Sequence, residues 1–274
     1  MGTNVGWTRT PYYVLTGGLA LLFLFPLLWS AYASVSPQPG TAQTVGSGLG
    51  NYMTLFEFQA GLPTFFLNSV IISGLTVAIT LVVSSLGGYA FARFDFPFKN
   101  VLFLVTLAIL MVPYATLLIP LFVLLNDIGL GNTLLGLSLV LAMYQLPFAM
   151  FMMRISFEAV PRELEESALC DGAGSFAVFR RIMLPLVLPG LITVALFAFL
   201  AAWNDFFAPL ILISDPDQSP LPLAIAVLRQ QTMGVIDYGA TEAGVVVMAL
   251  PVVILFLVLQ RYYVRGFMSG AVKG

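Results

Sequence analysis

The chemistry available to this chain is sparse. Its 274 residues hold thirteen carboxylates, eleven basic groups, one cysteine and no histidine. Eight of the charged groups, Glu158, Arg162, Glu163, Glu165, Glu166, Asp171, Arg180 and Arg181, crowd into residues 158–190. Asp205 stands apart from them, inside an apolar run beside Trp203 and Asn204. Without histidine the chain lacks the usual general base near neutral pH and the commonest metal ligand. Cys170, being single, gives no disulfide framework. Lys99 and Lys273 are the only lysines, and neither sits in a glycine-rich phosphate loop, so ATP has no recognisable site on this chain. What these residues can do is bind. An acidic helix can offer a carboxylate to an Arg or Lys of another protein in a charge-assisted contact. A carboxylate within an apolar run must face a cavity or a partner.

The elements that position these groups follow from composition. The chain is 59% hydrophobic and 9% charged, against roughly 45–50% and about 25% in soluble domains. That balance places it among all-α integral membrane proteins. Six apolar runs, at about 13–35, 64–91, 101–125, 134–153, 187–213 and 244–263, each reach the length a helix needs to cross the hydrocarbon core. The first is too long for the apolar region of a signal peptide and has no small-x-small cleavage site at its end, so it reads as a retained helix. Every Lys and Arg except Arg229 falls on the side shared by the two termini, which predicts that the termini and residues 158–190 face the cytoplasm. The opposite loops, 36–63, 126–133 and 214–243, carry Glu57, Asp127, Asp215, Asp217, Asp237 and Glu242. The expected organisation is an N-terminal end, first helix and outer loop in 1–66, a transmembrane domain in 67–262 and a cytoplasmic tail in 263–274.

Within the charged island, Pro161 fits the first turn of a helix. Glu163, Glu165 and Glu166 follow it at the positive end of the helix dipole, and Leu164 and Ala168 make a small apolar face. Gly172 and Gly174 should end this helix. Ser175 is expected to cap a second one, with Phe176, Phe179, Ile182 and Met183 on one face, until Pro185 and Pro189 break it. An amphipathic loop lying on lipid would be basic. The first helix is acidic, which favours a protein partner.

Glu166-Ser167-Ala168, three residues, Gly172, nine residues, then Ile182-x-Leu184-Pro185 resembles the EAA motif of ABC-importer permease subunits, with Ser167 in place of the second alanine. Asn68-Ser69, Gly88-Tyr89-Ala90-Phe91-Ala92-Arg93, Pro113, Pro120, Trp203-Asn204-Asp205 and Gly270-Ala271-Val272-Lys273-Gly274 resemble the carbohydrate-uptake branch, the relatives of the second membrane subunit of maltose-type importers. The resemblance runs from about Leu67 to the end. It implies a type I importer fold of six transmembrane helices with a cytoplasmic coupling-helix loop at about 158–190. It also implies a second six-span permease sharing the pathway, a cytoplasmic ATPase dimer holding ATP and Mg, and an extracytoplasmic substrate-binding protein. This chain would then be non-catalytic and carry no cofactor. On this resemblance Glu166, Ser167, Ala168, Leu169, Asp171 and Gly172 would be the ATPase-docking surface.

The substrate path is less marked. Asp205, with Asn204 and Trp203, either lines a cavity or gate or makes an inter-helix hydrogen bond. Asn68, Tyr144 and Gln145 are further candidates, with helix-to-helix bonding as the alternative for each. Trp203 with Asn204 would suit a sugar, and Asp205 an amino sugar. Within the same family, glycerol-phosphate diesters are the alternative substrate. An ion-coupled transporter would need more membrane carboxylates or histidines and an internal repeat. A membrane enzyme would need a nucleophile–base or metal cluster.

Overall fold

The computed structural model describes residues 9–36, 49–231 and 237–271, and among these every regular element is helical. In chain order they are α1 (Arg9–Val35), α2 (Gly50–Glu57), α3 (Leu62–Arg93), α4 (Lys99–Ala108), α5 (Tyr114–Asp127), α6 (Leu134–Glu158), α7 (Arg162–Cys170), α8 (Ser175–Val178), α9 (Leu184–Leu186), α10 (Leu188–Asn204), α11 (Phe207–Leu212), α12 (Leu221–Gln231) and α13 (Tyr238–Ala271). Four helical segments are long and apolar enough to cross a membrane: Pro11–Val35, Leu62–Arg93, Leu134–Glu158 and Tyr238–Leu259. Two further pairs qualify jointly but are bent, Lys99–Met111 with Tyr114–Asp127 by 103° and Ser175–Leu186 with Leu188–Asn204 by 77°. Four spans, or up to six if each bent pair is one span, therefore stand where the sequence marks six runs.

The third and fifth apolar runs are each interrupted rather than continuous. In the third run the short 3-10 segment Ile109–Met111 leads to Val112, which is extended (φ −83°, ψ 125°). Pro113 forces this, because its ring disfavours helical backbone in the preceding residue. In the fifth run the helix stops at Asn204; Asp205 is extended (φ −69°, ψ 126°) and the chain restarts as α11.

The chain forms two compact units, Met1–Leu62 with Ile225–Val253, and Pro63–Ala224 with Ile254–Gly274. In the first, Asn51 Nδ2 donates to the Ser34 carbonyl at 2.8 Å, tying α2 to the end of α1. The apolar flank of α1 stays exposed from Tyr12 to Tyr32, as suits a helix facing lipid or another chain. In the second unit a buried cluster of Tyr89, Met153, Phe157, Val178, Phe179, Met183 and Val194 joins α3, α6, the charged island and α10.

One face of α3 reads Ser69, Ser73, Thr76, Thr80 and Ser84, all buried. Small side chains at this spacing let neighbouring helices approach closely. At Gly88 the approach involves the neighbouring helix's backbone: an added Cβ would lie 2.6 Å from Met153 Cβ and 3.0 Å from the Arg154 backbone nitrogen. No flexible side-chain tip can yield there. Gly88→Val is therefore expected to destabilise the protein by about 2 kcal/mol or more. Heating detergent-solubilised protein and following monodispersity by size exclusion reads this as an earlier loss of the folded peak; an unchanged midpoint would show that α3 can move away from α6.

Candidate functional site: a docking helix and a polar junction at two helix breaks

The charged island folds as two short helices with a glycine elbow. Pro161, at the N-cap of α7, has φ −57° and starts the helix where its missing N–H costs nothing. At the other end, the Gly172 amide donates to the Leu169 carbonyl and the Ala173 amide to the Ala168 carbonyl, both at 3.0 Å. Gly172 has φ +84°. This is a Schellman turn, and the left-handed residue it requires is cheap only for glycine. Around this turn Glu166, Ser167, Leu169, Asp171 and Gly172 are exposed, and Ala168 is half-buried against the unit's core. Five of the six predicted docking residues thus lie open to a partner on one short segment.

The second island helix differs from expectation. Gly174 occupies the N-cap position and Ser175 is the first helical residue, making no side-chain cap. After α8, residues Phe179–Met183 form a π-helical turn. The wider turn absorbs an extra residue and sets Phe179 and Met183 into the core while Phe176 stays outside. Pro185 and Pro189 each sit in the first turn of the next helix. The 77° bend falls between those helices, at Val187.

Glu165 behaves unlike its acidic neighbours. Its side chain is 15% exposed and turns inward to Arg93, whose Nε stands 3.3 Å from Glu165 Oε2. The Tyr89 hydroxyl donates to Glu165 Oε1 at 2.5 Å. The sequence places Glu165 on the helix but does not reveal this contact. The available signal was its place one residue before Glu166, on the flank that continues to Leu164 and Ala168.

The polar residues of the apolar runs divide into two groups. Asp205 Oδ2 accepts from the Tyr114 hydroxyl at 2.7 Å, and Oδ1 accepts from the Ala208 amide at 2.8 Å. The Tyr144 hydroxyl donates to the Tyr114 carbonyl at 2.9 Å, and the two rings meet edge-on with centroids 4.4 Å apart. Asp205, Tyr114 and Tyr144 therefore form one polar junction where the Pro113 break meets the break after Asn204. Tyr114 is absent from the sequence candidates; its place directly after Pro113 was the clue. Asn204 is exposed and donates to the Leu200 carbonyl at 2.8 Å, and Gln145 is half-buried beside Tyr144.

The other two candidates lie elsewhere. Trp203 is wholly buried, stacked on Phe199 and edge-on to Phe66. Asn68 is 6% exposed and donates to the carbonyls of Asp217 and Ser219 at 2.9 and 3.0 Å. It pins α3 to the turn around Pro216–Gln218, and beside it Ser69 Oγ accepts from the Leu221 amide at 2.8 Å. Val272, Lys273 and Gly274 of the C-terminal motif lie outside the described residues. Among the described residues no cluster of three or more His, Cys, Asp or Glu is placed to hold a metal.

A helical membrane chain with an exposed acidic helix-elbow and a polar junction between broken helices has the parts a transport subunit needs. Residues 84–268 match the family described as binding-protein-dependent transport system inner membrane component, and the chain belongs to that family, the permease subunits of ABC importers. It is 36% identical to the arabinooligosaccharides transport permease of Halalkalibacterium halodurans, over 93% of each chain. It is 34% identical to a diacetylchitobiose uptake permease of Streptomyces coelicolor, over 88% of this chain and 82% of the relative. With the trehalose transport permease of Mycobacterium tuberculosis it shares 33%, over 98% and 100%. Its fold is similar to a chain of a bacterial ABC transporter involved in import of the acidic polysaccharide alginate, with a TM-score of 0.79 at 22% identity over 96% of this chain and 100% of that one.

Proposed function

We propose that this permease forms, with a second six-span permease, the membrane pathway for a sugar or sugar derivative such as an oligosaccharide or amino sugar. A cytoplasmic ATPase dimer drives it, and an extracytoplasmic binding protein delivers the substrate. Both termini and α7 face the cytoplasm on this reading. The observation that carries it is α7 itself: an exposed acidic helix closed by the Schellman turn at Gly172, on the spacing Glu166 to Gly172 to Pro185. Glu166 takes an Arg or Lys of the ATPase, a contact stronger than one between neutral groups. Ser167, Ala168, Leu169, Asp171 and Gly172 complete the docking surface. ATP and Mg belong to the ATPase, and this chain contributes no catalytic residue.

Support for a sugar comes from the three relatives named above, whose names specify arabinooligosaccharides, diacetylchitobiose and trehalose. The residues agree with that class. The Tyr114–Tyr144 pair offers aromatic edges and hydroxyls, and Asn204, Gln145 and Asp205 offer groups that bond sugar hydroxyls. Trp203 and Asn68 are spent instead on packing and on holding the turn after α11. None of the apolar runs carries a basic residue well inside it, which disfavours the glycerol-phosphate diesters handled elsewhere in the family.

Tagged chain purified in mild detergent with its neighbours co-expressed tests the assembly: an ATPase subunit and a second multi-span chain should co-elute, and recovery of this chain alone would overturn it. Thermal-shift screening of the binding protein identifies the substrate, with a sugar raising its melting temperature and glycerol-phosphate diesters leaving it unchanged.

A further inference from the structure

Arg93 is the last residue of α3, and its side chain is only 4% exposed. An arginine at the end of an apolar helix ordinarily reaches for water. This one is drawn inward. Its Nη2 donates to the carbonyls of Phe157, at 2.7 Å, and Val160, at 2.5 Å. Phe157 lies in the last turn of α6 and Val160 in the link that follows it, at the helix end where the dipole favours a cation. On its other side Arg93 meets Glu165 in the first turn of α7, where the dipole favours an anion. Tyr89, one turn earlier on α3, holds the second oxygen of the same carboxylate. The Tyr89 ring packs on Phe157 of α6 and on Phe179 in the π-helical turn, with centroids 5.3 and 5.0 Å away.

One guanidinium thus ties together the ends of α3 and α6 and the start of α7. Glu163 and Glu166, on either side of Glu165, are both exposed. The division of labour along α7 is therefore plain. Glu166 faces outward and Glu165 faces the membrane helices. Lysine would not substitute here, because a compact ammonium cannot span the carbonyl pair and the carboxylate as a planar fork does. The chain links α6 to α7 only through residues 159–161, and α7 to α8 through the glycine elbow. Covalent connection alone leaves α7 free to pivot at both ends.

We propose that Arg93, with Glu165 and Tyr89, is the positioning latch that makes displacement of α7 move α3 and α6 as one body. The inference rests on the reading of α7 as the ATPase-docking helix and adds how its motion enters the membrane. A latch of this kind sets how much transport each ATP yields, not whether the ATPase binds.

The test uses the whole complex in proteoliposomes, with substrate uptake and ATP hydrolysis measured in the same vesicles. Glu165→Gln, Arg93→Lys and Tyr89→Phe are compared, the last removing a hydroxyl while keeping the packed ring. For each, the ATPase subunit should co-purify in full. Uptake per ATP hydrolysed should fall about tenfold in Glu165→Gln and Arg93→Lys, and about threefold to fivefold in Tyr89→Phe, as expected for losing a charged contact and a single hydrogen bond. An unchanged uptake-to-hydrolysis ratio in Tyr89→Phe overturns the latch, as does a parallel fall of uptake, hydrolysis and complex yield in all three variants. Glu166→Lys is the separate control on the docking reading. It should lose the ATPase subunit, and if it retains both subunit and uptake, that reading fails and the latch falls with it.

Discussion

Gly172→Asp abolishes uptake while the protein stays in the membrane at its normal level. Two features of the structure set this expectation. Gly172 has φ +84°, so any side chain strains the turn that ends α7, at a cost of about 1–2 kcal/mol. An added Cβ, however, would meet nothing within 4 Å, so the core beneath is untouched. The fold survives, and the damage is confined to the surface of the elbow. On that surface a new carboxylate stands next to Asp171, where on the proposed reading the ATPase approaches closely. Gly172→Ala, which strains the turn but adds little bulk, should retain part of the activity. Uptake in whole cells, paired with immunoblots of membrane fractions, separates the effects. Normal uptake by Gly172→Asp would mean that this elbow does not meet the ATPase.

The second large effect belongs to Asp205. Its two oxygens hold Tyr114 at the start of α5 and Ala208 in the first turn of α11. Asp205→Ala removes both acceptors at once and leaves a tyrosine hydroxyl and a backbone amide without their partners. Losing hydrogen bonds to a charged group costs about 2–3 kcal/mol. The two helix breaks then lose their common anchor, and uptake should fall by more than about tenfold, since each 1.4 kcal/mol is a factor of ten. Asp205→Asn keeps one carbonyl oxygen and should retain intermediate uptake. If Asn proves as damaging as Ala, the negative charge itself handles the substrate. If Ala transports normally, the junction has no part in the path.

Much of this was legible in the sequence. The four helices long enough to cross a membrane, and the two bent pairs, fall on the apolar runs because continuous hydrophobicity is what the bilayer demands. The acidic helix and its glycine stop were equally plain, since Gly172 encodes its own backbone conformation. Helix breaks were harder to read. Pro113 announced a kink but not a 103° turn, and nothing apolar distinguishes the end of α10 from its middle. Asp205 there is both the polar residue of the run and the residue that caps the next helix, and only the second role shows where the helix ends. Residue partners were least legible. Arg93 and Glu165 lie far apart in sequence, and which of three neighbouring glutamates turns inward depends on the angle at which α7 leaves α6. Trp203 shows the converse, an aromatic beside polar neighbours that the fold spends wholly on packing.

On the proposed reading, ATP hydrolysed on a partner chain moves this membrane domain. Proteoliposomes containing the permease pair and the ATPase, with binding protein and labelled substrate on one face and ATP on the other, test it directly. Uptake should require ATP, Mg and the binding protein, and should persist when a protonophore collapses the proton gradient. Uptake that proceeds without ATP and stops with the protonophore would contradict the account and make Asp205 the carrier of an ion-coupled transporter.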